Sequence, residues 1–116
     1  MIGVRSKVWF AIGETPLMGQ GRRDLLVSIE RLGSISAASR KMGASYRKAW
    51  SSIQAMEERL GARLIVRTRG GRGGGAASLT DVAKGLIATY DRVAGGLSDF
   101  VDHRFEEVVT GKEETH

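Results

Sequence analysis

The sequence has 116 residues, a formal charge of +5 and no cysteine. That length holds one domain with at most one extended element, and the lack of Cys excludes disulfides and thiolate metal sites. No stretch approaches the roughly 20 apolar residues of a membrane span, and the opening MIGVRSKVWFAIGETP has no apolar run of signal-peptide type, so a soluble cytoplasmic protein is expected.

Residues 5–12, RSKVWFAI, alternate as a short strand, with Val8, Phe10 and Ile12 on one face. Gly13 and Pro16 break it, and Gly19 and Gly21 extend the break. Residues 22–32 place Leu25, Leu26, Ile29 and Leu32 on one helical stripe, and Gly33 suits the position just past the helix end. Ser34 reads as the N-cap of a short helix over 35–42, with Ile35, Ala38 and Met42 inward. Gly43 makes the turn and Ser45 caps a third helix, 46–60, which buries Ala49, Ile53, Met56 and Leu60 and ends at Gly61. Met42 and Ile53 are expected to share one core. Residues 63–68, RLIVRT, favour a strand, GGRGGG at 70–75 a turn or loop, and Ala77-Ser78-Leu79 a return strand. Thr80 caps a last helix to residue 109, and Asp81 complements its positive end. Gly95-Gly96 interrupts this helix at a cost of roughly 1 kcal/mol each, which predicts either a break near 95 or close backbone contact with another helix. Residues 110–116 read as a disordered tail.

Strand, helix, helix, turn, helix, hairpin and helix, in that order, make a mainly α winged helix-turn-helix: residues 1–79 as the domain and 80–109 as an appended long helix. Charge follows the same division. Residues 40–72 hold nine Lys or Arg against two Glu, whereas residues 73–116 hold four basic and eight acidic residues. A basic middle beside an acidic end suits a polyanion on one face and a different contact on another. With Ala49, Ile53, Met56 and Leu60 inward, the third helix turns Tyr46, Arg47, Lys48, Ser51 and Gln54 outward. Arg can pair with guanine and Gln with adenine, and Tyr and Ser can reach phosphates. Helix 46–60 is therefore the candidate recognition helix for the major groove of duplex DNA. The wing, 69–76, offers Arg69 and Arg72 to the phosphate backbone or the minor groove. Trp50, beside Ala49 and Ile53, suits packing better than base contact.

Gly71-x-Gly73-x-x-Ala76 also follows a strand-like run, as a dinucleotide-binding loop would. The second parallel strand that such a fold needs does not follow, and no Gly-Lys-Ser/Thr stands at the Walker offset. No cofactor is expected. His103 and His116 are isolated, so neither a metal site nor a catalytic triad forms with them, and an enzyme is not expected.

Gly-Ser-Ile-Ser-Ala-Ala at 33–38, Ser-Tyr-Arg-Lys-Ala-Trp at 45–50 and Gly-Gly-Arg-Gly-Gly-Gly at 70–75 resemble the DNA-binding domain of the ModE family of molybdate-responsive bacterial regulators. The resemblance covers about residues 6–92. Residues 34–69, notably Met-Glu-Glu-Arg-Leu-Gly at 56–61, more loosely resemble the helix-turn-helix of LysR-type regulators. The resemblance implies transcriptional control and dimerisation through the long terminal helix. It also implies DNA contact at Ser34, Ser36, Ser45, Tyr46, Arg47, Lys48 and the wing arginines. Family members continue into oxyanion-binding domains. No such domain is expected in this chain, so molybdate or tungstate sensing is not implied for it.

The last helix independently predicts a homodimer. Val82, Leu86, Tyr90, Val93, Leu97 and Phe100 form a stripe too long for so small a domain to cover, and Leu86, Tyr90, Val93, Leu97 and Phe100 are its candidate interface. The alternative reading is an accessory interaction module on the same scaffold, paired with a separate sensor.

Overall fold

The computed structural model describes residues 1–68 and 75–111. In chain order, the elements are β1 (Phe10–Ile12), β2 (Thr15–Met18), α1 (Gln20–Leu32), α2 (Ile35–Lys41), α3 (Tyr46–Leu60), β3 (Ile65–Thr68), β4 (Ala76–Leu79) and α4 (Asp81–Thr110). The strands pair as two separate antiparallel hairpins, β1–β2 and β3–β4. Helices α1 to α3 followed by the β3–β4 hairpin constitute a winged helix-turn-helix, and α4 is appended to it.

The N-terminus departs from the sequence expectation. The strand is shorter, and Pro16 lies inside a second strand instead of ending the first. In a two-stranded sheet both strands are edges, so a proline with no N–H to donate is tolerated. Gly13 makes the turn with φ 59°. Arg22 and Arg59 donate to the carbonyls of Leu17 and Pro16, which pins β2 to α1 and α3. The strand thereby delivers Leu17 and Met18 into the core.

Local cap chemistry sets the helix ends. Gly33 and Gly61 close α1 and α3 in the left-handed conformation, and each donates its N–H to a carbonyl four residues back. Leu25, Leu26 and Ile29 are buried, while Leu32, at the edge of that arc in the last turn, is exposed. Met42 also differs from expectation. Helix α2 ends at Lys41, and Met42 is its C-cap, turned outward with its Sδ accepting from Ser28 Oγ; it shares no core with Ile53. Ser39 takes the inner position instead, its hydroxyl donating to the Ser36 carbonyl at 2.8 Å. Ala38, Ala49, Ile53 and Met56 form the interior between α2 and α3.

Two carboxylates hold the wing. Glu57 Oε2 accepts from the Leu64 and Ile65 amides at 2.8 and 3.3 Å, and Glu30 Oε2 accepts from the Leu79 amide at 2.7 Å. With the Ala77 amide donating to the Gly33 carbonyl at 2.8 Å, β3–β4 has a set position against α1 and α3. The wing loop, with the expected Arg69 and Arg72, lies outside the described residues, as do residues 112–116 of the expected tail.

Thr80 caps α4, accepting from the Ala83 amide and donating to the Arg63 carbonyl. The helix runs unbroken through Gly95-Gly96 to Thr110, about 45 Å at 1.5 Å per residue. No break occurs, and among the described residues nothing beyond the helix's own adjacent backbone comes within 4 Å of where a Cβ would stand at either glycine. Ala94 is the last residue packed against the core. The rest of α4 projects beyond it, giving extents of 64 × 31 × 21 Å and a radius of gyration of 18.0 Å, against about 13 Å for a compact chain of this length.

Tyr90 is not on the uncovered stripe. It is 2% exposed, its ring stands edge-on to Phe10 with centroids 5.2 Å apart, and its hydroxyl donates to the Val8 carbonyl at 2.8 Å. The N-terminal segment covers it from across the chain. Nearby, Arg23 grips Asp91 through two 2.8 Å hydrogen bonds that join α1 to α4, and these bonds hold the Asp91 carboxyl below the usual carboxylate range. Tyr90→Phe is expected to lower stability by about 1 kcal/mol, because the half-buried Val8 carbonyl loses its donor; urea unfolding of the two proteins measures the difference.

Candidate nucleic-acid interface

Ser34 and Ser45 open α2 and α3. Their hydroxyl oxygens accept from the Ala37 and Lys48 amides at 3.0 and 3.1 Å. Both side chains are thus engaged as caps, and each keeps its hydroxyl proton for a further acceptor. Ser36 is exposed in the first turn of α2. On α3, Tyr46, Arg47, Lys48, Ser51 and Gln54 are all exposed, opposite the buried Ala49, Ile53 and Met56. Among the described residues, no carboxylate pairs with Arg40, Lys41, Arg47 or Lys48. The acidic residues of α3, Glu57 and Glu58, stand at its far end, and Glu57 is committed to the wing. The first two turns of α3 therefore present cations and hydroxyls that no carboxylate among the described residues neutralises.

One residue of this surface was missed by the sequence reading. Arg67, on β3, donates from Nη2 to the Tyr46 hydroxyl at 3.0 Å, and its guanidinium lies over the Trp50 ring, 4.7 Å from the centroid. Trp50 packs against the core and holds this contact in place, in line with the packing role read from its neighbours. The available signal was alternation: Ile65 is buried, so Arg67, two residues on, shares its face of the strand. Beside this group, Ser34, Ile35, Ser36, Tyr46, Arg67 and the start of β4 line a cleft of about 230 Å³.

No group of His, Asp or Glu among the described residues is arranged to hold a metal, and no described helix is long and apolar enough to cross a membrane. On α4, Leu86 is half-buried against the core, whereas Val93, Leu97 and Phe100 are exposed by 47, 39 and 68%.

A profile of the bacterial regulatory helix-turn-helix proteins of the lysR family matches residues 24–84, more than half of the chain. The chain belongs to that lysR family. The match begins inside α1 and ends just after the Thr80 cap, so it comprises the helix-turn-helix and the wing. That family is one of regulatory proteins, and the chain is similar to the molybdenum-pterin-binding protein MopB of Rhodobacter capsulatus. The two are 44% identical over 81 residues, which make up 70% of this chain and 30% of that protein. It is also similar to the molybdenum transport protein ModE of Azotobacter vinelandii, 42% identical over 66 residues, 57% of this chain and 24% of that one. The DNA-binding transcriptional dual regulator ModE of Escherichia coli K12 is 41% identical over 73 residues, 63% of this chain and 28% of that protein. The chain thus spans less than a third of the length of the curated relatives it matches.

Proposed function

We propose that this chain is the sequence-specific DNA-binding part of a homodimeric transcriptional regulator. Helix α3 enters the major groove, and the wing lies on the backbone or in the minor groove. The observation that carries this reading is the outer face of α3, where Tyr46, Arg47, Lys48, Ser51 and Gln54 stand exposed and the two cations have no carboxylate partner among the described residues. A helix presented by a capped turn, with its apolar side fixed to a core, is rigid enough to dock in a groove wide enough to take it. A relative named as a DNA-binding transcriptional dual regulator is 41% identical to this chain over 73 residues.

Arg47→Ala tests the assignment. Arg47 is on the exposed face one position past the start of α3, where a groove-entering helix meets base edges. Losing a bidentate base contact is expected to reduce discrimination between cognate and random duplex by about 1–3 kcal/mol. Sites selected from a random pool supply the cognate duplex, and anisotropy titrations on both duplexes give the ratio. A ratio unchanged by the substitution would remove Arg47 from base reading. No site enriched by the native protein would refute sequence-specific recognition.

A further inference from the structure

We infer that Arg67, Tyr46 and Ser36 form a site for one phosphodiester group of the DNA backbone, with Trp50 holding the guanidinium in position. The inference rests on the DNA-binding reading above and adds to it a ligand site at the junction of α2, α3 and the wing. The chemistry of the cleft selects an anion. Its lining contains a guanidinium, two serine hydroxyls and a phenol, and no carboxylate. Among the described residues Arg67 has no ion-pair partner, so its charge remains uncompensated.

The guanidinium is pre-positioned. Tyr46 and Trp50 are one helical turn apart on α3 and face the same way. One engages Arg67 edge-on through its hydroxyl, the other supports it from below with its ring. Only one of the five guanidinium N–H groups is used on Tyr46, and the Tyr46 hydroxyl accepts that bond, so it keeps its own proton to donate. An arginine held in this way has already lost the side-chain freedom that binding would otherwise remove. It is also held away from extension toward a base edge, which favours a ligand that comes to the protein surface, as a backbone phosphate does. Gly75 also lines the cleft, and a Cβ there would stand 2.6 Å from the Thr68 carbonyl oxygen.

The test uses the whole chain carrying Trp9→Phe, which leaves Trp50 as its single tryptophan. Random-sequence duplex is expected to change the Trp50 emission as a phosphate draws on the stacked guanidinium. Arg67→Gln in this background is expected to abolish that change and to weaken binding about tenfold on cognate and random duplex alike. It is also expected to reduce the slope of log K against log salt by about 0.9 for each copy of the site. Inorganic phosphate at millimolar concentration is expected to leave emission unchanged. Full affinity and full salt slope in Arg67→Gln would overturn the site while leaving DNA binding intact. A silent Trp50 on a duplex that binds would do the same, and saturation by inorganic phosphate alone would make it a free-anion site instead. Failure of the unsubstituted chain to bind any duplex at low salt would overturn both the site and the DNA-binding reading.

Discussion

Raising salt from 50 to 200 mM is expected to weaken duplex binding by about a thousandfold. Each phosphate neutralised by a Lys or Arg releases condensed counterions, and log K falls by about 0.9 per phosphate for each unit of log salt. About three such contacts per protomer, doubled in a dimer, give a fall of that size over this fourfold range. The cations are in place to make them. Lys48 and Arg47 lie on the exposed start of α3, Arg40 and Lys41 end α2, and Arg67 lies over Trp50 beside them. The alternative source of affinity, burial of apolar surface, responds little to this change in salt. An anisotropy titration at four salt concentrations therefore distinguishes them by slope alone. A slope near zero would mean that the basic face is only a solvated surface, and it would sink the proposed function.

Much of this surface could be read in the sequence because the chemistry that forms it is local. Ser34, Ser45 and Thr80 cap helices through amides three residues away, and Gly33 and Gly61 end them through a carbonyl four residues back. Each needs only its near neighbours. The misreadings of Pro16 and Tyr90 depend on context beyond the near neighbours. Pro16 looked like a break because its tolerance depends on there being just two strands in that sheet. Tyr90 has the spacing of an exposed stripe, and only the Val8 carbonyl, 82 residues earlier, shows that it is covered. Periodicity says which side of a helix is apolar and is silent on what lies against it. Met42 keeps helical backbone as the C-cap of α2, but it stands past the last turn, beside Ser28 of α1 and outside the core. Arg67 was one more arginine in a basic run until its contacts with Tyr46 and Trp50 set it apart.

Leu97→Asp is expected to dissociate the proposed dimer and leave the domain folded. Among the described residues, Ala94 is the last apolar side chain of α4 packed against the core, so the segment from Gly95 to Thr110 adds no apolar side chain to it. An unsupported helix of that length is marginal in water, and two adjacent glycines weaken it by roughly 1 kcal/mol each. Its persistence calls for a partner surface. The exposed Val93, Leu97 and Phe100 follow one another at intervals of four and three, which is the seam spacing of paired helices. Gly96, which flanks that seam, leaves room there for a second backbone. Two-fold pairing would carry the two α3 helices to sites about one DNA turn apart, roughly 34–36 Å, and calls for a pseudo-palindromic operator. A carboxylate at position 97 would have to be desolvated at the centre of such a seam, whereas in the monomer it is in water and touches no core residue. Light scattering at micromolar concentration is expected to show the native chain as a dimer and Leu97→Asp as a monomer, with unchanged helical circular dichroism up to the core. Loss of the linked second half-site is expected to weaken operator binding by about 10²–10⁴-fold. A native chain that scatters as a monomer at the concentrations where it binds DNA would refute the dimer. Full operator affinity in a monomeric Leu97→Asp would instead show that one α3 and one wing suffice.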